Sequence, residues 1–332
     1  MTNKQINSND INLLNTNNLS HEFSQIIQNF NKLNIKEIKP TIENIKENIF
    51  LNNIIDELVD LIFKELNKGN DDEPIKQHIF DYFDNQKIIL QEFYNWLLYN
   101  QDNSNSIFLF GYFNYYGIGT DFDKQMALDL YQKAAELENK VAQLNLANVH
   151  IYGLGIDKNY NLAFNLSEKL AEEEYAGGIN NLGYCYNYGI GTCFNKQRAF
   201  ELFQKAANLG NSTGISNLGY CYEFGIGTNI NLTKAFELYQ KAANLGNLYG
   251  IHNLGSCYEK GIVADINKQK AFELYRKAAN LGHYLIQCNL AVIYEKGDGI
   301  KKDIEQAIYW YKKSAEQGYN YAQNKLNELS KN

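Results

Sequence analysis

The chain has 332 residues, of which 45% are hydrophobic and 21% are charged, and its formal net charge is −7. An acidic sequence without a basic stripe argues against recognition of nucleic-acid phosphates, and no run of about 18 apolar residues indicates a membrane-spanning helix. The first 20 residues lack the apolar core of a signal peptide, and the five cysteines have no paired spacing. We therefore expect a cytoplasmic protein in a reducing compartment.

Residues 1–105 contain no internal repeat. Positions 1–40 are rich in asparagine and have weak apolar periodicity, so we expect them to be partly disordered. Helical spacing then predicts three helices within positions 41–105. The first ends at Gly69, the second has Pro74 in its first position, and the third covers positions 86–99. We expect this N-terminal block to pack on the first repeat as a cap.

From position 106 onward the sequence repeats itself every 36 residues without insertion or deletion. The high glycine count of 24, against two prolines, reflects this period, because most glycines recur in phase. A sequence period of this length is typical of stacked structural repeats. The six copies span 106–141, 142–177, 178–213, 214–249, 250–285 and 286–320, and positions 321–332 resume the pattern as a capping half-repeat.

Each copy predicts two helices, A and B. Helix A ends at a Gly-x-Gly turn, as at Gly189 and Gly191, where a residue without Cβ can adopt a positive φ; Val263 replaces the second glycine in the fifth copy. Helix B follows a side chain that can cap its free amides, namely Asp123, Asn159, Asn195, Asn231, Asn267 or Asp303. Since one helix pair cannot bury its apolar face, the pairs must stack. The sequence therefore predicts an all-α fold, a right-handed α-solenoid with helices A on the concave side.

The repeated sequence pattern also resembles that of a known family. The pattern A/G-x-x-x-L-G-x-x-Y-x-x-G-x-G, followed by D/N-x-x-K-A-x-x-L-Y-x-K-A-A-x-x-G, is similar to the Sel-one-like repeat family, which is related to the tetratricopeptide repeats. The resemblance implies a tetratricopeptide-like solenoid and a scaffold or adaptor function, as in signalling, protein quality control or cell-wall synthesis. Some eukaryotic members are fused to a protein kinase domain, whose motifs this sequence lacks.

The residues that could take part in catalysis or ligand binding are better explained as turn and core residues of the repeats. A dinucleotide-binding Gly-x-Gly follows a strand, whereas here the motif follows a helix and recurs, so we interpret it as a turn. Cys185, Cys221 and Cys257 share one repeat position, and we expect them to be small buried helix residues. The histidines do not cluster and no nucleophile–base pair stands out. We expect no enzymatic activity, no cofactor and no metal site.

What remains is the concave surface of helices A, which we predict to be a partner-binding groove running from aromatic to polar. Tyrosine supplies rigid contact area together with a hydroxyl group, which suits peptide recognition. The alternative is that the tyrosine before each turn glycine, such as Tyr152 or Tyr188, only packs against the turn. The aligned groove positions are Tyr112, Tyr115, Tyr116, Ile151, Tyr152, Asn180, Tyr184, Tyr188, Ser216, Tyr220, Phe224, His252, Glu259, Lys260, Glu295 and Lys296.

The function that these features favour is a monomeric adaptor that binds a protein or peptide segment in this groove. The competing hypothesis is a regulatory subunit that acts on a separate enzyme, such as a kinase, through the N-terminal block or the outer face of helices B.

Overall fold

The computed structural model of the protein describes residues 42–70, 72–152 and 158–330. The disorder predicted for positions 1–40 lies outside the described residues. Within them, all regular secondary structure is helical. The described residues divide into two units at residue 51, and the side-chain contacts given below all lie within the second, which begins at residue 52.

The N-terminal block contains helix α1 (Ile42–Asn67), helix α2 (Asp72–Gln86) and helix α3 (Leu90–Tyr99). The predicted third helix started four residues too early, because Lys87 adopts a positive φ of 57° and closes α2. Pro74 is the third residue of α2 rather than the first. It still lies in the first turn, where a missing N–H removes no intrahelical hydrogen bond.

The six repeats alternate helix A and helix B from α4 to α15. Helices A are α4 (Ser104–Tyr116), α6 (Lys140–Tyr152), α8 (Ala176–Tyr188), α10 (Ser212–Phe224), α12 (Leu248–Lys260) and α14 (Tyr284–Lys296). Helices B are α5 (Lys124–Glu136), α7 (Tyr160–Glu172), α9 (Lys196–Asn208), α11 (Leu232–Asn244), α13 (Lys268–Ala278) and α15 (Ile304–Glu316), and α16 (Asn320–Leu329) resumes helix A.

The predicted caps of helix B are confirmed in all six repeats. Each Asp or Asn accepts a hydrogen bond from the backbone N–H three residues later, for example Asn195 from Arg198 at 3.0 Å. The first turn glycine has a φ of 68° at both Gly189 and Gly225, as expected. Val263 has a φ of 67°, a conformation that is strained for a β-branched residue. The helix caps and turn glycines of the repeat can thus be predicted from the sequence.

Small residues let the two helices of a repeat approach closely. A Cβ atom added at Gly219 of helix A would lie 2.8 Å from Cε1 of Tyr239 on the following helix B. A Cβ atom at Gly250 would lie 2.5 Å from the Cβ of Ala242 on the preceding helix B. Since real Cβ atoms do not approach this closely, glycine is required on both faces of helix A, and each repeat packs tightly against its neighbours.

The three cysteines that share a repeat position, Cys185, Cys221 and Cys257, are free and buried, as predicted. Burial raises the pKa of the Cys185 and Cys221 thiols to about 12, so they remain protonated at neutral pH. They contribute apolar volume to the stack.

Candidate interaction surface

At the first repeat, the groove is occupied by the N-terminal block. Tyr112 is fully buried and Tyr115 is 5% exposed. The ring of Tyr116 lies 5.8 Å from the Nζ of Lys76 on α2. Burial, together with the negative charge of Asp72, raises the pKa of Tyr116 well above its ordinary value. None of the first three tyrosines predicted for partner binding is exposed, and Tyr116 contacts α2 instead of solvent.

Aromatic packing holds α2 and α3 against helix A of the first repeat. Phe83 of α2 and Phe93 of α3 both meet the ring of Phe113 with centroid separations of 6.2 Å. Tyr94 of α3 lies 5.5 Å from Phe110 and donates a hydrogen bond from its hydroxyl to Oδ1 of the Asn114 side chain at 3.1 Å. The block covers the aromatic side of the first repeat that would otherwise face solvent.

The turn between α1 and α2, residues 67–70, reaches much further along the array. The backbone N–H of Ser212, at the start of helix A of the fourth repeat, donates to the carbonyl of Lys68 at 2.6 Å. The hydroxyls of Ser212 and Thr213 donate to the carbonyl of Gly69 at 2.7 and 3.0 Å. The positive N-terminal end of one helix thus meets the carbonyl end of another, which favours both helix dipoles.

Further contacts fix this turn to the third and fourth repeats. The backbone N–H of Gly177 donates to Oδ1 of Asn67 at 2.9 Å, and Nδ2 of Asn211 donates to the carbonyl of Asn67 at 2.9 Å. The ring of Phe63 packs edge-on against Tyr175 with a centroid separation of 5.0 Å. These contacts were not predicted from the sequence, which indicated packing of the block on the first repeat alone.

A local signal for them was nevertheless present. Residues 67–70 read Asn-x-Gly-Asn, the same letters as residues 208–211 and 244–247 at the ends of two helices B. In the first two of these segments the glycine N–H donates to the carbonyl three residues earlier, and the next N–H donates to the carbonyl five residues earlier. Gly69 and Gly210 have φ angles of 77° and 83°. The end of α1 therefore has the same backbone form as the end of a helix B.

In the middle of the array, the aromatic groove positions are open to solvent. Tyr184 pairs with Tyr188, and Tyr220 pairs with Phe224, at centroid separations of 4.4 and 4.5 Å. Tyr152 meets Tyr184 at 5.4 Å, so the rings continue from one repeat to the next. Exposure is 46% for Tyr188, 37% for Tyr220 and 55% for Phe224. We call Tyr184, Tyr188, Tyr220 and Phe224 the aromatic stripe.

Three other predicted groove residues near this region have little exposed surface. Ile151, Asn180 and Ser216 are all buried. Asn180 accepts a hydrogen bond on Oδ1 from Nδ2 of Asn217 at 2.8 Å. Burial raises the pKa of Tyr184 to about 12, and its neighbour Tyr188 adds to this effect. The contact area available to a partner is thus concentrated in Tyr188, Tyr220 and Phe224.

In the last two repeats, each acidic groove residue accepts a hydrogen bond from a tyrosine on helix B of the same repeat. Tyr275 donates from its hydroxyl to Oε2 of Glu259 at 3.2 Å, and Tyr311 donates to Oε2 of Glu295 at 2.5 Å. The same pair occurs in the fourth repeat, where Tyr239 donates to Glu223 at 2.6 Å. These carboxylates tie helix A to helix B.

The remaining polar groove positions of this region differ in exposure. Lys260 and Lys296, which take the place of Tyr188 and Phe224 in the repeat, are exposed. His252 is half-buried, and its Nδ1 lies 3.1 Å from Nδ2 of Asn289. The exposed part of the groove therefore runs from aromatic rings to ammonium groups.

The curvature of the array brings distant repeats to one cavity of about 400 Å³. It is lined by side chains of several helices A, namely Tyr116 on α4, Asn148 and Tyr152 on α6, Tyr249 on α12 and Tyr284 on α14. Because these side chains belong to helices A, the cavity shows directly that helices A face the inside of the curved stack. The turn at residues 67–70 lies along its wall.

The described residues contain neither a cluster of metal ligands nor a membrane-spanning helix. No group of His, Cys, Asp or Glu side chains within 42–70, 72–152 and 158–330 could hold a metal ion. Over the same ranges, no helix has the length and hydropathy needed to cross a bilayer.

The Sel1 repeat model matches the chain at residues 104–139, 140–175, 176–211, 213–247, 248–283 and 287–319. The chain belongs to the Sel1 repeat family. Members of this family generally mediate protein–protein interactions, and the fold is typically a non-catalytic scaffold. The matched segments begin within three residues of the starts of helices A, so sequence period and structural period coincide.

The chain is also similar to several solved structures. A Sel1 repeat protein from Oxalobacter formigenes is 27% identical with a TM-score of 0.55, and the match covers 74% of this chain and 97% of that one. The protective antigen c5321 of uropathogenic Escherichia coli is 29% identical with a TM-score of 0.46 over 77% of this chain. This chain spans only 56% of the length of c5321. The immunity protein Pa5087 of Pseudomonas aeruginosa is 22% identical, with coverages of 57% and 73% and a TM-score of 0.44. No match was found among curated proteins.

Proposed function

We propose that this Sel1 repeat protein is a non-enzymatic adaptor that binds a segment of a partner protein along the exposed part of its groove. The observation that supports this most strongly is the aromatic stripe, whose residues Tyr188, Tyr220 and Phe224 are 37–55% exposed although they recur in phase on consecutive helices A. Paired rings present rigid apolar area at low entropic cost, which is typical of the residues that dominate binding energy.

The charge along the groove specifies the partner segment further. Lys260 and Lys296 continue the row of Tyr188 and Phe224, whereas the nearby carboxylates of Glu259 and Glu295 accept hydrogen bonds from tyrosines of their own repeats. A segment with apolar or aromatic residues at one end and acidic residues at the other would match this order. Such an adaptor would serve in signalling or in the assembly of a complex.

The proposal is tested by placing a photo-crosslinking residue at position 224 or at position 309 and irradiating the native cell. Tyr309 lies on a helix B and is 49% exposed, so it controls for exposure alone. We expect a defined crosslinked partner from position 224 and none from position 309. Recovery of that partner should fall about tenfold or more for Tyr188→Ala/Phe224→Ala, since each truncated hot-spot side chain costs roughly 1–2 kcal/mol.

A second double variant makes the result specific to the groove. Tyr160→Ala/Tyr309→Ala removes two rings of similar exposure, 44% and 49%, from helices B. Partner recovery that falls equally in both double variants, or in neither, would contradict binding at the aromatic stripe.

A further inference from the structure

The cavity enclosed by helices A has the volume of a small-ligand site. At about 400 Å³ it lies within the range of roughly 300–1,000 Å³ that is usual for such sites. The turn at residues 67–70 closes one side, and Tyr249 and Tyr284, which are 43% and 38% exposed, form its open edge. The site is preformed, because its walls belong to packed helices and to a turn held by backbone hydrogen bonds.

Amide side chains dominate the polar part of the wall. Asn181 donates from Nδ2 to Oδ1 of Asn148 at 2.7 Å, and Asn217 donates in the same way to Asn180 at 2.8 Å. The Nδ2 groups of Asn148 and Asn180 donate no hydrogen bond within the part of the chain that the structure describes. Two amide donors therefore remain available at the cavity wall, and an amide donor without a partner costs roughly 1–3 kcal/mol if water does not reach it.

The charge of the wall restricts the kind of ligand. No lysine, arginine or histidine is among the described residues that line the cavity, so an anion would find no counter-charge there. Asp72 is the one carboxylate of the described lining, and it is paired with the hydroxyl of Tyr116. The wall suits a neutral ligand.

We propose that this cavity binds a neutral, polyhydroxylated small molecule of the size of a mono- or disaccharide. Hydroxyl groups both donate and accept hydrogen bonds, and the asparagine side chains of the wall offer both partners. The rings of Tyr152, Tyr249 and Tyr284 supply apolar faces on which a sugar ring can pack. The C–H groups of the sugar carry a partial positive charge, which matches the negative face of an aromatic ring. This site differs from the aromatic stripe, and the proposal does not depend on adaptor function.

The test uses the full chain with ¹⁵N-labelled asparagine side chains, titrated with maltose, cellobiose and lactose. Each disaccharide is added to roughly 20 mM, which detects dissociation constants in the millimolar range. Glucose 6-phosphate and glucuronic acid serve as charged probes of similar chemistry. We expect at least one disaccharide to shift the side-chain amide signals of Asn148 and Asn180, and we expect the charged probes to leave them unchanged.

Variants locate the binding. Asn148→Ala and Asn180→Ala should each raise the dissociation constant of that disaccharide about fivefold, which is the effect of one lost hydrogen bond. Asn208→Ala removes an exposed asparagine from a helix B and should have no effect. If either cavity variant fails to fold by circular dichroism, the shifts of the wild-type amide signals decide the question alone. No shift with any of the three disaccharides, equal shifts with the charged probes, or unchanged affinity in both folded cavity variants would overturn the proposal.

Discussion

The first repeat and the last three repeats use the same position of helix A in different ways. Tyr115 of the first repeat is buried against Tyr131 of helix B. At the same position later in the array, Glu223, Glu259 and Glu295 each accept a hydrogen bond from a tyrosine hydroxyl of helix B. Tyr131, on helix B of the first repeat, has a buried hydroxyl without a hydrogen-bond partner. The aromatic face of the first repeat is thus covered by the N-terminal block, whereas the last three repeats each have a hydrogen bond between their own two helices.

This difference changes how a repeat position is to be interpreted. Tyr116 and Phe224 occupy the same place in the period, yet Tyr116 is seated against α2 while Phe224 is 55% exposed. A row of aromatic residues in a repeat protein therefore identifies a binding surface only where no other part of the chain covers it.

The largest expected effect concerns the attachment of the N-terminal block. Gly69→Ala should lower the free energy of unfolding by about 3 kcal/mol, because the residue has a φ of 77° and a new Cβ would lie 2.8 Å from the backbone N of Thr213. Hydrogen exchange should show faster exchange of the Ser212 amide, which donates to Lys68. Gly210→Ala is the matched control: its φ is 83° but no atom lies within 4 Å of the new Cβ, so about 1 kcal/mol is expected. Equal losses in the two variants would show that the turn contributes nothing specific.

The Tyr–Glu pairs of the later repeats should contribute the next largest effect. Tyr239→Phe should lower stability by about 2 kcal/mol, because it removes a hydrogen bond of 2.6 Å to the carboxylate of Glu223. Tyr131→Phe removes a buried hydroxyl that has no partner and should change stability by no more than about 0.5 kcal/mol in either direction. Urea denaturation of both variants measures the contrast, and similar losses would remove this distinction between the first repeat and the last three.

A pH dependence is expected from the junction between the fifth and sixth repeats. Burial lowers the pKa of His283 to about 4, and both of its ring nitrogens are buried without a hydrogen-bond partner. The imidazole packs against the rings of Tyr249 and Tyr284, and His252 lies close enough to lower the pKa further. Between pH 4 and about 6.5 the unfolded chain binds a proton that the folded chain excludes, so stability falls as the pH falls through this window.

Substitution of this residue separates its two effects. His283→Asn should reduce the stability loss between pH 7 and pH 4 by roughly 1–2 kcal/mol. It should also stabilise the chain by about 1 kcal/mol at pH 7, because Asn211 and Asn247 cap helix A at the same repeat position whereas His283 does not. His283→Ala should show the first effect without the second. Chemical denaturation across this pH range measures both, and a wild-type pH dependence in both variants would refute the assignment.

The smallest effect is expected at Val263. Val263→Gly should raise stability by about 0.5–1 kcal/mol, because relief of the strained φ of 67° exceeds the added entropy of a glycine in the unfolded chain. Asp265→Gly in the same turn, where φ is not positive, should lower stability slightly. A higher urea midpoint for the first variant alone would establish that the fifth repeat is locally strained.

The repeated part of the fold follows closely from the sequence, because its determinants are local. A capping side chain such as Asn195 or a turn glycine such as Gly189 acts on residues within one helical turn, and six in-phase copies make each signal easy to detect. The predicted third helix of the N-terminal block failed for the complementary reason. Lys87 closes α2 with a positive φ, and the N–H of Ile88 donates to the carbonyl of Phe83 at 3.0 Å, but a lysine at this position gives no sequence signal for such a helix end.

The candidate site was harder to predict because it depends on contacts between distant residues. Helical spacing placed Tyr116 and Phe224 alike on helix A but could not show that α2 contacts only the first of them. The curvature that brings Tyr116 and Tyr284 to one cavity accumulates from small rotations between repeats, and no single residue encodes such a rotation.

The hydrogen bond between Asn211 and Asn67 joins residues 144 positions apart. In a simple solenoid every contact is local, so folding can begin in any repeat and spread to its neighbours. Here the turn at residues 67–70 can be seated only after the third and fourth repeats have formed, which raises the contact order and should slow the final folding step. During synthesis α1 emerges long before the surface that receives it, so the nascent chain must carry this helix undocked until more than half of the array has been made.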